Sequence, residues 1–236
     1  AIKTGALSEM IRALSMKGDV LYRRGECDDA KLIQQKVARI ALNEGKLREH
    51  LAAMNILGMC HYRMSEYNDS IAVFDKLASY WGKLSDSNEI GVAVMNKCNA
   101  LCFKGDINGA LICAEDYYNQ ISEDVSLKRV CASLLGNMGR YATDLGLFEK
   151  AENYLLLSIE YSKELGQEPT LLNAYTSLIE LYTLTEKFGK IIDYRKEQMD
   201  FLWDREAYYD VIAALDKTIS FLLQYKYVAQ ANKLDA

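Results

Sequence analysis

The chain has 236 residues, of which 50% are hydrophobic and 26% charged, with a formal net charge of −5. That length suits one or two compact domains or one extended array, and the apolar share excludes a disordered chain. The weak charge, mildly basic over residues 1–50 and acidic afterwards, lacks the concentrated basic face that nucleic acid requires.

A single proline, Pro169, stands in the whole chain. Helix interiors reject proline because it removes a backbone donor and clashes with the preceding turn. Strand-type alternation is scarce, and Leu, Ala, Glu, Lys and Met are plentiful, so the composition predicts an all-α protein. In chain order the pattern predicts helices over 6–24, 28–44, 47–64, 67–84, 88–104, 107–121, 125–145, 148–165, 169–185, 188–203 and 206–224, with a last one from 227 onward. Asp86, Ser87 and Asn88 have the chemistry of a helix start. Pro169 falls in a first helical turn, where proline is tolerated. The short final helix and the initial Ala1 give the expectation that the chain is a domain of a longer protein.

Self-similarity organises these helices. Anchored at Gly18, the pattern recurs at Gly58, Cys98, Gly139, Ile179 and Thr218, with spacings of 39 to 41 residues. Seven residues after each anchor come Gly25, Ser65, Gly105, Gly146, Glu186 and Tyr225. Nine after come Cys27, Tyr67, Ile107, Phe148, Phe188 and Tyr227, and twelve after come Ala30, Ser70, Ala110, Ala151, Ile191 and Gln230. Small residues at the anchor and twelve beyond let two helices approach closely. Glycine seven beyond suits a left-handed turn, and the apolar residue nine beyond begins the second helix. Ile179, Thr218 and Gln230 are larger than the pattern asks, so repeats five and six are expected to pack at altered angles.

These segments (YRRGECDDA, YRMSEYNDS, CFKGDINGA, ATDLGLFEKA, TLTEKFGKI) resemble the tetratricopeptide repeat family in a form of about 40 residues. The resemblance covers roughly residues 8–236. It implies a right-handed superhelical solenoid of about six helix–turn–helix repeats, at 8–45, 47–84, 88–121, 125–165, 169–203 and 206–236, forming one domain. It further implies that the first helix of each pair lines a concave face. Carried over by register, the candidate groove takes Arg12, Asp19, Tyr22 and Arg23 from repeat one and Asn55, Met59, Tyr62 and Arg63 from repeat two. Repeat three gives Asn96, Asn99 and Phe103, repeat four Asn137, Arg140 and Asp144, and repeat five Asn173 and Glu180.

An amide side chain offers a donor and an acceptor, the pair that an extended peptide backbone presents. Asn55, Asn96 and Asn137 stand 41 residues apart, so a row of amides that grips backbone is one reading. Ordinary solvated polar residues would give the same pattern, and both readings stand. Arg63 and Arg140 have the charge to hold a carboxylate.

No catalytic motif, phosphate loop or dinucleotide fingerprint is present. His50 and His61 lack metal-ligand spacing relative to the scattered thiols, and His61 reads as a partly buried structural residue. Neither metal nor cofactor is expected. The cysteines are Cys27, Cys60, Cys98, Cys102, Cys113 and Cys131. They form no C-x-x-C pair and suggest a reduced, cytoplasmic chain, and no apolar run reaches the ~18 residues of a membrane span. Cys98 and Cys102 share a helix face, and Cys98 at an anchor reads as packing. The expected function is a peptide- or protein-binding module, regulatory or sensory by its resemblance to repeat arrays of bacterial transcription regulators and peptide-pheromone receptors. The alternative is a scaffold that pairs with a second copy or a neighbouring domain through residues 206–236, where Ile212, Leu215, Ile219, Leu222 and Leu223 make an apolar helix.

Overall fold

The computed structural model describes residues 2–217, 219–220 and 223. Among them the chain is helical with no strand. The helices are α1 (Ile2–Arg23), α2 (Cys27–Asn43), α3 (Leu47–Arg63), α4 (Tyr67–Lys83), α5 (Ser87–Lys104), α6 (Ile107–Ile121), α7 (Lys128–Asp144), α8 (Phe148–Leu165), α9 (Glu168–Leu184) and α10 (Phe188–Trp203). Residues 208–217 continue as helix. Each helix packs on the next in sequence, which builds a solenoid of helical hairpins.

The repeat register sets these boundaries. The second helix of each hairpin begins at Cys27, Tyr67, Ile107, Phe148 and Phe188, all nine residues past an anchor. The turn position two residues earlier is left-handed in every hairpin, at Gly25 (φ 85), Ser65 (φ 60), Gly105 (φ 97), Gly146 (φ 74) and Glu186 (φ 55). Asp86 caps α5 by accepting from the Glu89 amide at 3.3 Å, and Pro169 lies in the first turn of α9.

Two boundaries differ from expectation. Repeat four starts with a 3-10 turn, Val125–Leu127, before α7 begins at Lys128. There Asp124 Oδ1 accepts from both the amide (2.9 Å) and the hydroxyl (2.6 Å) of Ser126, a local bonding pattern that competes with the α-helical one. Glu206 is left-handed (φ 57), so the helix expected from 206 begins at Tyr208. The helix expected from 227, and the repeat positions Thr218, Tyr225, Tyr227 and Gln230, lie outside the described residues.

The small positions explain how closely the hairpins close. A Cβ on Gly18 would lie 2.4 Å from Gln34 Nε2, one on Gly58 2.8 Å from Phe74 Cζ, and one on Gly139 2.4 Å from Leu155 Cγ. Each obstructing residue stands sixteen positions past its anchor. Ala30, Ser70, Ala110 and Ala151 are all fully buried, and Ser70 Oγ donates 2.9 Å to the carbonyl of Gly58 itself. In repeat three the bulk is redistributed, since the anchor is Cys98 and the residue sixteen on is Ala114. In repeat five the anchor is Ile179 and the facing position is Arg195, whose buried Nε has no hydrogen-bond partner.

The core runs along the interior of the array. One cluster joins Ile11, Val37, Leu51, Phe74 and Leu77, and a second joins Leu111, Leu134, Leu155, Tyr175 and Leu178. Ile90 packs against both. Each such side chain contributes about 1.5–3 kcal/mol when fully buried.

Candidate functional site

Contacts also run between odd-numbered helices, α1 with α3, α3 with α5, α5 with α7 and α7 with α9. These first helices form one layer, and every candidate groove residue stands on it. Six candidates line one cleft of ≈ 490 Å³: Tyr62 from α3, Asn99 and Phe103 from α5, Asn137 and Arg140 from α7, and Asn173 from α9. Phe103 is 57% exposed and meets the Tyr62 ring edge-to-face at 5.3 Å, which gives the cleft an aromatic wall. Arg140 is the charged residue among those lining it.

Arg140 is held in place. Its Nη2 donates 2.9 Å to Oδ1 of Asn99, and its guanidinium lies 5.2 Å from the Tyr141 ring centre. Tyr141 Oη donates to the same Asn99 oxygen at 2.9 Å. Burial pushes the Tyr141 hydroxyl well above its ordinary pKa despite the nearby Arg140 charge, so it stays a donor. The cleft thus offers a fixed cation beside amide and hydroxyl groups, suited to an anionic group with neighbouring peptide-like donors and acceptors.

The other candidates lie elsewhere. Asn96 Nδ2 donates 3.4 Å to Asn55 Oδ1, and Asn55 Nδ2 contacts Met59 Sδ at 3.8 Å. Asn55 lines a separate cleft with Arg48, Trp81 and Glu89. The asparagine row is therefore divided: Asn55 and Asn96 bond to one another, while Asn137 faces the larger cleft. Met59 is partly buried against the core. Arg63 Nη1 donates 2.5 Å to the Tyr22 carbonyl, with its guanidinium 4.0 Å over the Tyr22 ring, so it ties α3 to α1. Asp19 and Arg23 pair with each other at 2.8 Å. Arg12 borders a separate cleft with Lys46 and Glu49. Glu180 borders another, of ≈ 500 Å³, with Arg195, Gln198 and Lys217. Asp144 is exposed.

Sequence reading overlooked Ser133, Gly136, Thr170, Thr176 and Ser177, which complete the Arg140 cleft. The signal was present for four of them. Ser133 stands six before the Gly139 anchor and Gly136 three before it, and Thr176 and Ser177 hold the three-before and two-before positions relative to Ile179.

Among the described residues, His61, Glu66 and Asp69 bring three potential metal-ligating atoms within 4.8 Å. The Lys31 ammonium already lies 2.7 Å from Glu66 Oε2, which is also 2.5 Å from His61 Nδ1. This cluster is thus a cross-repeat ion pair linking α2, α3 and the start of α4. No described helix is long and apolar enough to cross a membrane.

No protein-family model matches the chain, and no curated relative does. Among solved structures, the apo form of RapI is similar at 16% identity, with a TM-score of 0.68 over 95% of this chain and 87% of that one. The TPR-like repeats of a kinesin light chain from Podosopora anserina align at 11% identity and a TM-score of 0.63, over 84% of this chain and 97% of theirs. NprR in complex with its cognate peptide NprX aligns at 15% identity and a TM-score of 0.63, over 94% of this chain but only 62% of NprR. The fold is that of tetratricopeptide-like repeat solenoids.

Proposed function

We propose that the chain is a non-catalytic peptide- or protein-binding module, one domain of six repeats, and that it is the regulatory or sensory part of a bacterial signalling or transcription-regulating protein in the cytoplasm. The observation that carries this is the cleft in which Arg140, fixed by Asn99, stands beside Asn137, Asn173 and the Tyr62–Phe103 wall. Its ligand is an extended peptide segment with a carboxylate for Arg140 and an apolar side chain for the aromatic wall. The NprR structure, which holds a cognate peptide in the same fold, supports this reading by analogy.

The test is selection from a displayed random-peptide library on the whole chain, followed by calorimetric titration of the enriched peptides. Enrichment of acidic or free-carboxylate peptides that bind Arg140→Ala and Asn137→Ala about tenfold more weakly is expected, since hydrogen bonds to a charged partner contribute about 1.5–3 kcal/mol. Enriched peptides that bind both variants as well as the parent chain overturn it.

A second reading, association through residues 206–236 with a second copy or an adjoining domain, is favoured by one observation. Ile212, Leu215, Ile219 and Leu223 are 62%, 41%, 55% and 51% exposed, while Val211 and Ala214 are buried. Leu222 lies outside the described residues. Light scattering should show a concentration-dependent dimer that Leu215→Glu abolishes, and a monomer at every concentration rejects self-association.

A further inference from the structure

Repeat five departs from the register at two facing positions. Its anchor is Ile179, 4% exposed, where repeats one, two and four have glycine. Sixteen residues on stands Arg195, at the position where Phe74 and Leu155 close against their anchors. A branched side chain at the anchor removes the bed on which the facing residue lies in those repeats. Here a cleft of ≈ 500 Å³ opens between α9, α10 and the helix over 208–217, with Ile179, Ile191 and Leu202 as its apolar lining and Arg195 and Gln198 as polar members. That volume falls within the range of ligand pockets.

The cation in this cleft is under-used. A guanidinium offers donors on all three of its nitrogens. Among the described residues Arg195 has a single acceptor, Gln198 Oε1, 2.8 Å from Nη1, and its Nε is buried with none. Buried donors are almost always satisfied, and burial works against the charge as well, holding the Arg195 pKa below its ordinary value. Gln198, only 7% exposed, is tied in turn to Thr176 Oγ1 at 3.4 Å through its Nε2, so the guanidinium is fixed from the protein side. Glu180, Asp210 and Lys217 border the cleft but are exposed. Among the described residues none of the three makes an ion pair with Arg195, and Glu180 acts on it only through its field. Exposed charges are screened by water and salt, a partly buried one much less.

We propose that the Arg195 cleft is a second binding site, one that takes a carboxylate on a short apolar stem, as in a glutamate side chain. The carboxylate accepts from guanidinium N–H groups left over from Gln198, and the stem lies on the apolar lining. Two sources carry this chemistry. One is an acidic residue of a peptide that runs on from the Arg140 cleft, since Thr176 borders both clefts. The other is a free organic acid. The site stands on its own chemistry, and only the peptide source rests on the proposed function.

The probes are N-acetylglutamate amide and its uncharged isostere N-acetylglutamine amide. Each is titrated into the isotope-labelled full chain while the Arg195 Nε–H resonance, assigned by its loss in Arg195→Lys, is followed by NMR. The acid should shift that resonance saturably and about tenfold more tightly than the amide, as a charge-assisted bond exceeds a neutral one. Arg195→Met should lose the preference for the acid yet unfold in urea no earlier than the parent chain, because an apolar side chain relieves an unsatisfied buried cation. Glutarate binding about tenfold more tightly than N-acetylglutamate amide assigns the free acid. A library-selected peptide whose Glu→Gln change weakens binding to the parent chain but not to Arg195→Met assigns the peptide. An Arg195 resonance that stays still or answers both probes equally, or an Arg195→Met chain that unfolds early, overturns the proposal. Failure of the peptide reading leaves the Arg195 titration standing, and failure of the titration leaves the Arg140 cleft untouched.

Discussion

Arg140 on α7 and Tyr141 beside it both donate to Oδ1 of Asn99 on α5, each over 2.9 Å. That shared acceptor separates two asparagines that look alike in sequence. Tyr141 is fully buried, so Asn99→Ala would leave its hydroxyl without a partner and cost about 1–3 kcal/mol. Asn137 makes no intramolecular side-chain hydrogen bond among the described residues, so Asn137→Ala should change stability by less than about 0.5 kcal/mol. Chemical denaturation of the two variants checks this. An early-melting Asn137→Ala would make that residue a bridge between helices rather than a ligand contact.

Gly139 and Gly82 make opposite demands on an added methyl group. A Cβ at Gly139 would sit 2.4 Å from Leu155 Cγ and 2.6 Å from its Cδ2. Gly139→Ala should therefore destabilise by about 1–3 kcal/mol through overpacking, although alanine is the better helix former. A Cβ at Gly82 meets nothing within 4 Å, so Gly82→Ala in the last turn of α4 should be neutral or stabilising by up to about 1 kcal/mol. Denaturation midpoints that move the same way for both would refute this packing account of the anchors.

These anchors also show why the fold was legible. Close helix approach forces small residues at fixed intervals, and the left-handed turn forces its own position, so Gly18, Gly58 and Gly139 are readable from spacing alone. The groove was legible only as a register. The register brings Asn99, Asn137, Arg140 and Asn173 to one cleft, but preference for amides and cations passed over Ser133 and Thr176, which line it from that same register. Spacing could not divide the asparagine row, because whether Asn96 reaches Asn55 or a ligand depends on the relative displacement of neighbouring helices.

Ser65 and Glu186 occupy the left-handed turn position held by glycine in three other hairpins, with φ 60 and 55. A non-glycine residue there carries about 1–2 kcal/mol of strain, of which glycine's greater unfolded-state freedom would cancel about 0.5–1 kcal/mol. Glu186→Gly should therefore raise the stability of repeat five by up to about 1 kcal/mol. Gly105→Ala, at φ 97, should lower that of repeat three. A destabilised Glu186→Gly would show that the Glu186 side chain contributes more than its backbone costs.

Glu152 on α8 joins repeats four and five. Its carboxylate accepts from Tyr182 Oη at 2.9 Å, from Lys187 at 2.7 Å and from Lys190 at 2.5 Å. Burial alone would raise its pKa, but the hydrogen bonds from Lys187, Lys190 and Tyr182 outweigh burial and bring it down to about 2. An unfolded glutamate titrates near 4.3. Because the folded value is the lower, the unfolded chain binds the proton first as pH falls, and folding must keep the carboxylate ionised against that preference. The contribution is therefore fully present above about pH 5 and is lost between there and about pH 2. Glu66, lowered by hydrogen bonds from Lys31 and His61, loses its contribution in the same direction. Glu152→Gln keeps an acceptor for Tyr182 but has no charge to lose. Urea midpoints at pH 7, 4 and 2.5 should show the parent chain more stable than Glu152→Gln at pH 7, with the gap shrinking towards zero at the lowest pH. A gap that stays constant across that range would mean that the Lys187 and Lys190 ion pairs add nothing, and that the loss comes from packing around the carboxylate.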